Sequence, residues 1–309
     1  MGKQHISWAQ MAVLLCVLVW PAATLHSKLA AAPSPPEHGK HFDRVIVIVL
    51  ENEDFSSAAN DSFLSQLAKQ GASFSNFRAE THPSYPNYLA MIAGSTFGVG
   101  SDSQKNFPDD DQHRTIANLM EDWKNYAEEY PAQANDPRPF LGGSRGKYAR
   151  KHVPFLSFLR VQQKSFHNVV SVNTHDTNNA FVSDIAAYKR DAAKNPLPRY
   201  MFYSPNLDDD GHDSSLATAS QWLKKFLNEW LKLDDKLKGT LVVVTFDESE
   251  SHRGNNQIYT VFLGDMIKPG QVDKEYNHYS VLRTIEDNFG FSTLNSGDGG
   301  ATHIDGIWK

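Results

Sequence analysis

From residue 42 onward the apolar positions fall into two alternating patterns. Residues 45–50, VIVIVL, form an unbroken apolar run rich in β-branched side chains. A run of that length and composition predicts a strand buried on both faces, as in a parallel sheet. Runs at 72–77, 168–172, 200–204, 240–246 and 258–263 read as strands too. Between them the spacing changes to about 3.6 residues. Residues 62–70 place Phe63, Leu64, Leu67 and Ala68 on one helical face, and Gly71 stands where such a helix would stop. Further helices are predicted over 87–93, 115–123, 180–191, 216–233 and 280–288. Strand and helix in alternation predict an α/β fold, with a mainly parallel central sheet flanked by helices on both faces. The Gly, Pro and Arg-rich stretch 131–147 reads as a surface loop or lid, too short to separate two domains.

Composition narrows the class. The chain has 309 residues, 40% of them apolar and 21% charged, which excludes a disordered tail and a multi-span membrane protein. A net charge of −6 leaves no basic excess to neutralise phosphates, so no nucleic-acid binding is expected. The N-terminus is a different kind of segment. Lys3 precedes the apolar stretch MAVLLCVLVWPAATL, and the small residues Ala30, Ala31 and Ala32 follow it. That pattern predicts a signal peptide over 1–32 and one domain over 33–309, with the mature protein secreted or periplasmic and not stably membrane-associated. Fifteen apolar residues interrupted by Pro21 fall short of the roughly 20 needed to span a bilayer. Cleavage would remove Lys3 and Lys28, deepening the net charge to −8, together with the single cysteine, Cys16. Stability would then come from core burial, metal ions or both. The oligomeric state stays open.

Ligands of such sheets gather at the carboxyl ends of the strands. Glu51 and Asn52 follow the first run, Asp208 to His212 follow residues 200–204, and Asp247 and Glu248 follow residues 240–246. His278 opens the last helix. One acid at a strand end suits a helix cap or a solvated turn. Several acids with two histidines at successive strand ends would repel one another unless a cation compensates them, and this predicts a divalent metal site. The turn His82-Pro83-Ser84-Tyr85-Pro86-Asn87 enters a helix, so Ser84 stands near a helix N-terminus that favours anions. On spacing alone Ser84 reads first as an N-cap residue.

Six segments in order resemble the phosphoesterase family of bacterial and fungal acid phosphatases and bacterial phospholipases C, within the alkaline phosphatase superfamily. They are VLEN (49–52), HPSYPNYLAMIAGST (82–96), KHVPF (151–155), SPNLDDDGHD (204–213), TFDES (245–249) and YNHYSVLRTIEDNFG (276–290). HPSYPNY also looks like the nucleophile turn of ectonucleotide pyrophosphatases. The resemblance implies that Ser84 is a transiently phosphorylated nucleophile and that Asn87 donates to a phosphoryl oxygen. It implies a metal beside Ser84 held by Glu51, Asp247 and Glu248, with Asn52 nearby. Asp208, His212 and His278 match a second metal position, where the histidines instead serve phosphate directly if only one ion is held. Several superfamily branches carry histidine where Glu248 stands. The all-oxygen set makes magnesium, calcium, manganese or iron as plausible as zinc. Lys151, His152 and His82 are further candidates for phosphate or leaving-group contacts.

The implied chemistry is a phosphoric ester hydrolase using two in-line displacements, with His212 or His278 assisting the leaving alkoxide and overall retention at phosphorus. A small phosphate monoester is the expected substrate. The alternatives are a phospholipase C or phosphodiesterase of the same family, and a non-catalytic exported protein that binds phosphate or metal. No appended domain or basic amphipathic helix follows the last motif, which favours the monoesterase.

Overall fold

The computed structural model describes residues 1–2, 38–132, 138–173, 179–190, 197–232, 237–252 and 255–309. Nearly all of the expected signal peptide lies outside these residues. Residues 34–309 form one compact unit.

Eight strands make the central sheet. They are β1 (Arg44–Leu50), β2 (Ala72–Phe74), β3 (Trp123–Glu128), β4 (Val169–Val172), β5 (Tyr200–Ser204), β6 (Thr240–Phe246), β7 (Thr260–Leu263) and β8 (Gly270–Val272). Their spatial order is β8-β2-β7-β6-β1-β5-β3-β4. Every neighbouring pair is parallel except the two that β7 makes with β6 and β2. The mainly parallel α/β sheet is therefore as the alternation predicts. β1 sits at its centre, and Val45, Ile46, Val47, Ile48, Val49 and Leu50 are buried. Burying each such side chain contributes about 1.5–3 kcal/mol, so the chain's strongest apolar run occupies the position with most to cover.

The main helices are α1 (Phe55–Asn60), α2 (Ser62–Gln70), α3 (Ser84–Ala93), α4 (Ala180–Arg190), α5 (Leu216–Lys225) and α6 (His278–Phe289). Asp61 starts α2 by accepting from the backbone N–H of Phe63 and Leu64, both at 2.9 Å, and accepts the Ser220 hydroxyl of α5 at 2.7 Å. All ten residues of α3 are buried, so it is a core helix rather than a surface one. It ends at Gly94, whose φ of 63° is left-handed.

Two expectations need correction. The predicted helix over 115–123 is only one turn, Ile116–Leu119, closed by a Thr115/Asn118 capping box, and the chain then enters β3. Apolar spacing through Ile116, Leu119, Met120 and Trp123 imitated a longer helix. β3 escaped notice because it buries polar side chains. Asn125 donates to the Phe202 carbonyl at 3.2 Å and to Ser204 Oγ at 3.0 Å, while Glu128 is 1% exposed. The helix expected over 216–233 also changes character, since α5 is followed by a π turn at Phe226–Trp230. Edge strand β8 carries no apolar run and so leaves no mark in the hydrophobic pattern. Within the expected surface loop, Ser144–Arg145 pairs with Tyr148–Ala149 in a short hairpin.

A buried acid pair ties α6 to the chain near its end. Glu286 and Asp298 are both 0% exposed. Asp298 accepts the backbone N–H of Leu294 at 2.5 Å and of Asn295 at 2.8 Å, and a Cβ at Gly94 would meet Asp298 Oδ1. Burial first, and then the Asp298 charge, push the Glu286 carboxyl up to about 9. The folded protein thus keeps a proton that the unfolded chain releases near pH 4.5, so stability falls as pH rises from about 4.5 to about 9. Glu286→Gln keeps the shape and cannot ionise. The melting temperature of the variant should decline less than that of the wild type between pH 5 and 8; parallel declines would show that Glu286 does not carry the effect.

Candidate active site

The register of the sheet builds the site. Leu50 of β1 pairs with Phe246 of β6, so Glu51 and Asp247 leave the sheet side by side. The Asp247 N–H donates to the Leu50 carbonyl at 3.0 Å, and the Glu51 N–H donates to the Asp210 carbonyl at 2.9 Å. Three strand ends, β1, β5 and β6, are therefore stitched together by backbone hydrogen bonds. Asn52, at φ 46°, turns its N–H onto Asp247 Oδ1 at 3.1 Å, a left-handed conformation that asparagine tolerates.

Ser84, the first residue of α3, is 1% exposed. Its Oγ lies 3.1 Å from both Glu51 Oε2 and Glu248 Oε1, so its one hydrogen has two carboxylate acceptors. Lys151 donates to the same oxygen at 3.4 Å and forms an ion pair with Asp102 Oδ2 at 3.0 Å. His82 Nδ1 contacts Glu248 Oε2, and its ring stacks on His252 with centroids 4.2 Å apart.

On its other side Glu51 faces a second group. Its Oε1 lies 3.2 Å from His152 Nε2, and His152 Nδ1 lies 3.1 Å from Asp210 Oδ2. The His152 ring stacks on Tyr88 with centroids 5.0 Å apart. Glu51 thus gives one oxygen to the serine and the other to the histidine.

Burial and mutual repulsion hold these acids above their usual range. Burial raises Glu51 well above it, reinforced by Asp247 and then Asp210. Asp210 is also raised, chiefly by burial. Burial pushes Asp247 up to about 6, and burial with the Asp247 charge pushes Glu248 up to about 8. Burial depresses His152 well below its ordinary value and His278 to about 4. For Lys151 burial acts downward, but the charges of Glu51 and Asp102 outweigh it and raise the ammonium. Such a set is electrostatically unfavourable on its own and becomes favourable around a cation.

The donor set fits one. Glu51 Oε1, Asn52 Oδ1, His152 Nε2, Asp210 Oδ2, Asp247 Oδ2 and His278 Nδ1 are buried and make no well-aligned hydrogen bond, the close approaches of His152 to Glu51 and Asp210 included. Ligand atoms of Glu51, His152 and Asp210 all lie within 4.8 Å of one another, so these three residues could hold a metal ion.

The remaining sequence candidates take varied positions. The structure places Asp208 at the surface, paired with Lys147 at 2.7 Å, and buries Asp210 of the same motif instead. The Asp-x-x-x-His spacing pointed to Asp208 because a turn's buried and exposed positions cannot be told apart in sequence. Asn87 is fully engaged with the backbone: its Oδ1 accepts from Glu80 and Thr81, and its Nδ2 donates to the carbonyls of Thr81 and Pro83. Both amide hydrogens bond backbone carbonyls, so Asn87 shapes the turn of residues 80–83 that precedes α3. His212 is half-buried, bonded to Asp213 at 2.8 Å, with its ring 6.0 Å from that of His152. His278 donates from Nε2 to the Asp247 carbonyl at 2.8 Å and is buried. Glu128, which no sequence signal singled out, accepts from Tyr203 Oη, the Asn206 N–H and Nδ2, and Trp222 Nε1. It anchors the turn that carries Asp210.

Comparison with known proteins agrees with this architecture. A "probable acid phosphatase" from Kluyveromyces lactis is 34% identical over 277 residues, covering 86% of this chain and 63% of that protein. The chain thus spans a little under two thirds of the length of that relative. A phosphatidylinositol-3-phosphatase from Mycobacterium tuberculosis is 33% identical over 277 residues, covering 88% of this chain and 83% of that protein. The fold matches a solved structure from Vibrio parahaemolyticus, a protein of the alkaline phosphatase superfamily, with a TM-score of 0.52 and 15% identity over 84% of this chain and 69% of that one. The profile of the Phosphoesterase family matches residues 56–292. This chain belongs to the phosphoesterase family.

Proposed function

We propose that the chain is a metal-dependent phosphatase that hydrolyses phosphate monoesters through a phosphoserine at Ser84. The observation that carries this reading is the Ser84 hydroxyl held between Glu51 and Glu248, with the Lys151 ammonium 3.4 Å away. Relatives named as acid phosphatases support it. Glu51, Asn52, Asp247 and Glu248, with His152 and Asp210 on the far side of Glu51, are the residues that would hold a divalent cation. Such an ion, when bound, offsets the carboxylate charge and lowers the pKa of the serine hydroxyl.

The chain's own residues do the rest. Ser84 Oγ transfers its proton to Glu51 or Glu248 and attacks phosphorus, forming the serine O–P bond as the ester P–O bond breaks. In this reading the half-buried His212, its ring 6.0 Å from that of His152, hands a proton to the departing alkoxide, whereas His278, buried and held near 4, is suited to ordering the Asp247 backbone. Lys151 offers positive charge to the phosphoryl oxygens. Water then attacks the phosphoserine, releasing phosphate and restoring the hydroxyl.

A monoester carries one more negative charge than a diester, which favours a site with an ammonium beside the nucleophile. The expected kcat/KM for p-nitrophenyl phosphate exceeds that for its bis-ester and for phosphatidylcholine by at least about tenfold, roughly 1.4 kcal/mol, and chelator abolishes it. A larger value on the diester or the lipid would assign the chain to the phosphodiesterase or phospholipase branch. Among the described residues no helix is long and apolar enough to cross a membrane. Export belongs to the same proposal, and an intact mass beginning near Pro33 in extracytoplasmic material is its check; retention of Met1 or Lys3 would contradict it.

A further inference from the structure

Resting on the reading of Ser84 and Lys151 as the phosphoryl site, we infer that Asp102 is a built-in competitor of the substrate, a carboxylate that occupies the phosphate's donors until it is displaced. A nucleophile that is 1% exposed cannot meet an ester until something moves off it. Lys151 Nζ lies 3.4 Å from Ser84 Oγ, and Lys151 is held by Asp102. Asp102 Oδ2 accepts from Lys151 Nζ at 3.0 Å, while Oδ1 accepts from the backbone N–H of Tyr85 at 3.1 Å. Tyr85 is the second residue of α3, where an N–H without an intrahelical acceptor and the helix dipole favour an anion. An ammonium and a helix N-terminal N–H beside the serine are the donors a transferring phosphoryl group would use, and here a two-oxygen anion takes both.

Asp102 is suited to leaving. Residues 100–106 are all exposed, and the Asp102 side chain keeps 40% of its surface in water. Arg150 pins the far end of this strap, donating to Gln104 Oε1 at 2.9 Å and to Asn106 Oδ1 at 2.7 Å. The stretch around Asp102 can therefore lift while its end stays fixed. Its negative charge, which also raises Glu248, opposes an incoming dianion as long as it stays.

The test is the affinity of the purified protein for inorganic phosphate, measured by titration calorimetry. Asp102→Asn keeps an acceptor for Tyr85 but loses the charge, and Asp102→Ala loses both. Each should bind phosphate at least about fivefold more tightly than wild type, and Lys151→Met should bind more weakly. Unchanged or weaker binding in both Asp102 variants, with melting temperatures near wild type, would overturn the inference and make Asp102 a residue that merely positions Lys151. Absence of phosphate binding in wild type and all variants would instead overturn the phosphoester reading, and this inference with it.

Discussion

Replacing Ser84 by alanine should lower kcat on a phosphate monoester by at least about a thousandfold with little change in folding. The substitution removes the oxygen proposed to attack and almost no volume. The two carboxylates lose a donor, which costs about 1–3 kcal/mol at most if they stay charged and dry. A protein that still melts cooperatively near the wild-type temperature would separate loss of chemistry from loss of structure. Retention of a tenth of wild-type kcat would mean that water, not serine, attacks phosphorus.

In the proposed metal-dependent enzyme, Glu51→Gln and Asp247→Asn should each remove bound divalent cation and activity together. Each keeps side-chain volume and removes one of the negative charges that converge beyond β1 and β6. Glu51 is the more sensitive position, because its two oxygens serve Ser84 and His152 at once. Metal that binds only the folded state stabilises it by about 2.7 kcal/mol at a hundred times its dissociation constant. Added metal should therefore raise the melting temperature of the wild type and leave that of the variants nearly unmoved. Without metal the variants should be no less stable than the wild type, since each relieves repulsion among buried acids. Elemental analysis showing no tightly bound divalent ion in active wild-type protein would contradict this account.

The strands that carry the site were legible because they are continuous apolar runs. Residues 200–204 and 240–246 match β5 and β6 residue for residue, and the acids that follow them stand out against that background. β3 was hidden by its own chemistry, since Asn125 and Glu128 are polar yet buried, and only their partners on β5 and in the turn after it make that possible. The same limit applies within the site. Asp208 and Asp210 are neighbours in one acidic run, and a tight turn sends one to Lys147 and the other to His152. The Asn87 amide bonds the backbone of residues 80–83, contacts that no motif announces. Asp102 carries no motif at all. It becomes visible only when α3 and the Lys151 turn are brought to the same place.

In the proposed reaction the phosphoryl group is transferred twice, first to Ser84 and then to an acceptor. The stereochemical course tests it most directly. A monoester made chiral at phosphorus with oxygen isotopes, turned over in the presence of an acceptor alcohol, should yield product with retained configuration, because two in-line displacements each invert and together restore it. Inversion would mean a single direct transfer and would contradict a phosphoserine intermediate at Ser84.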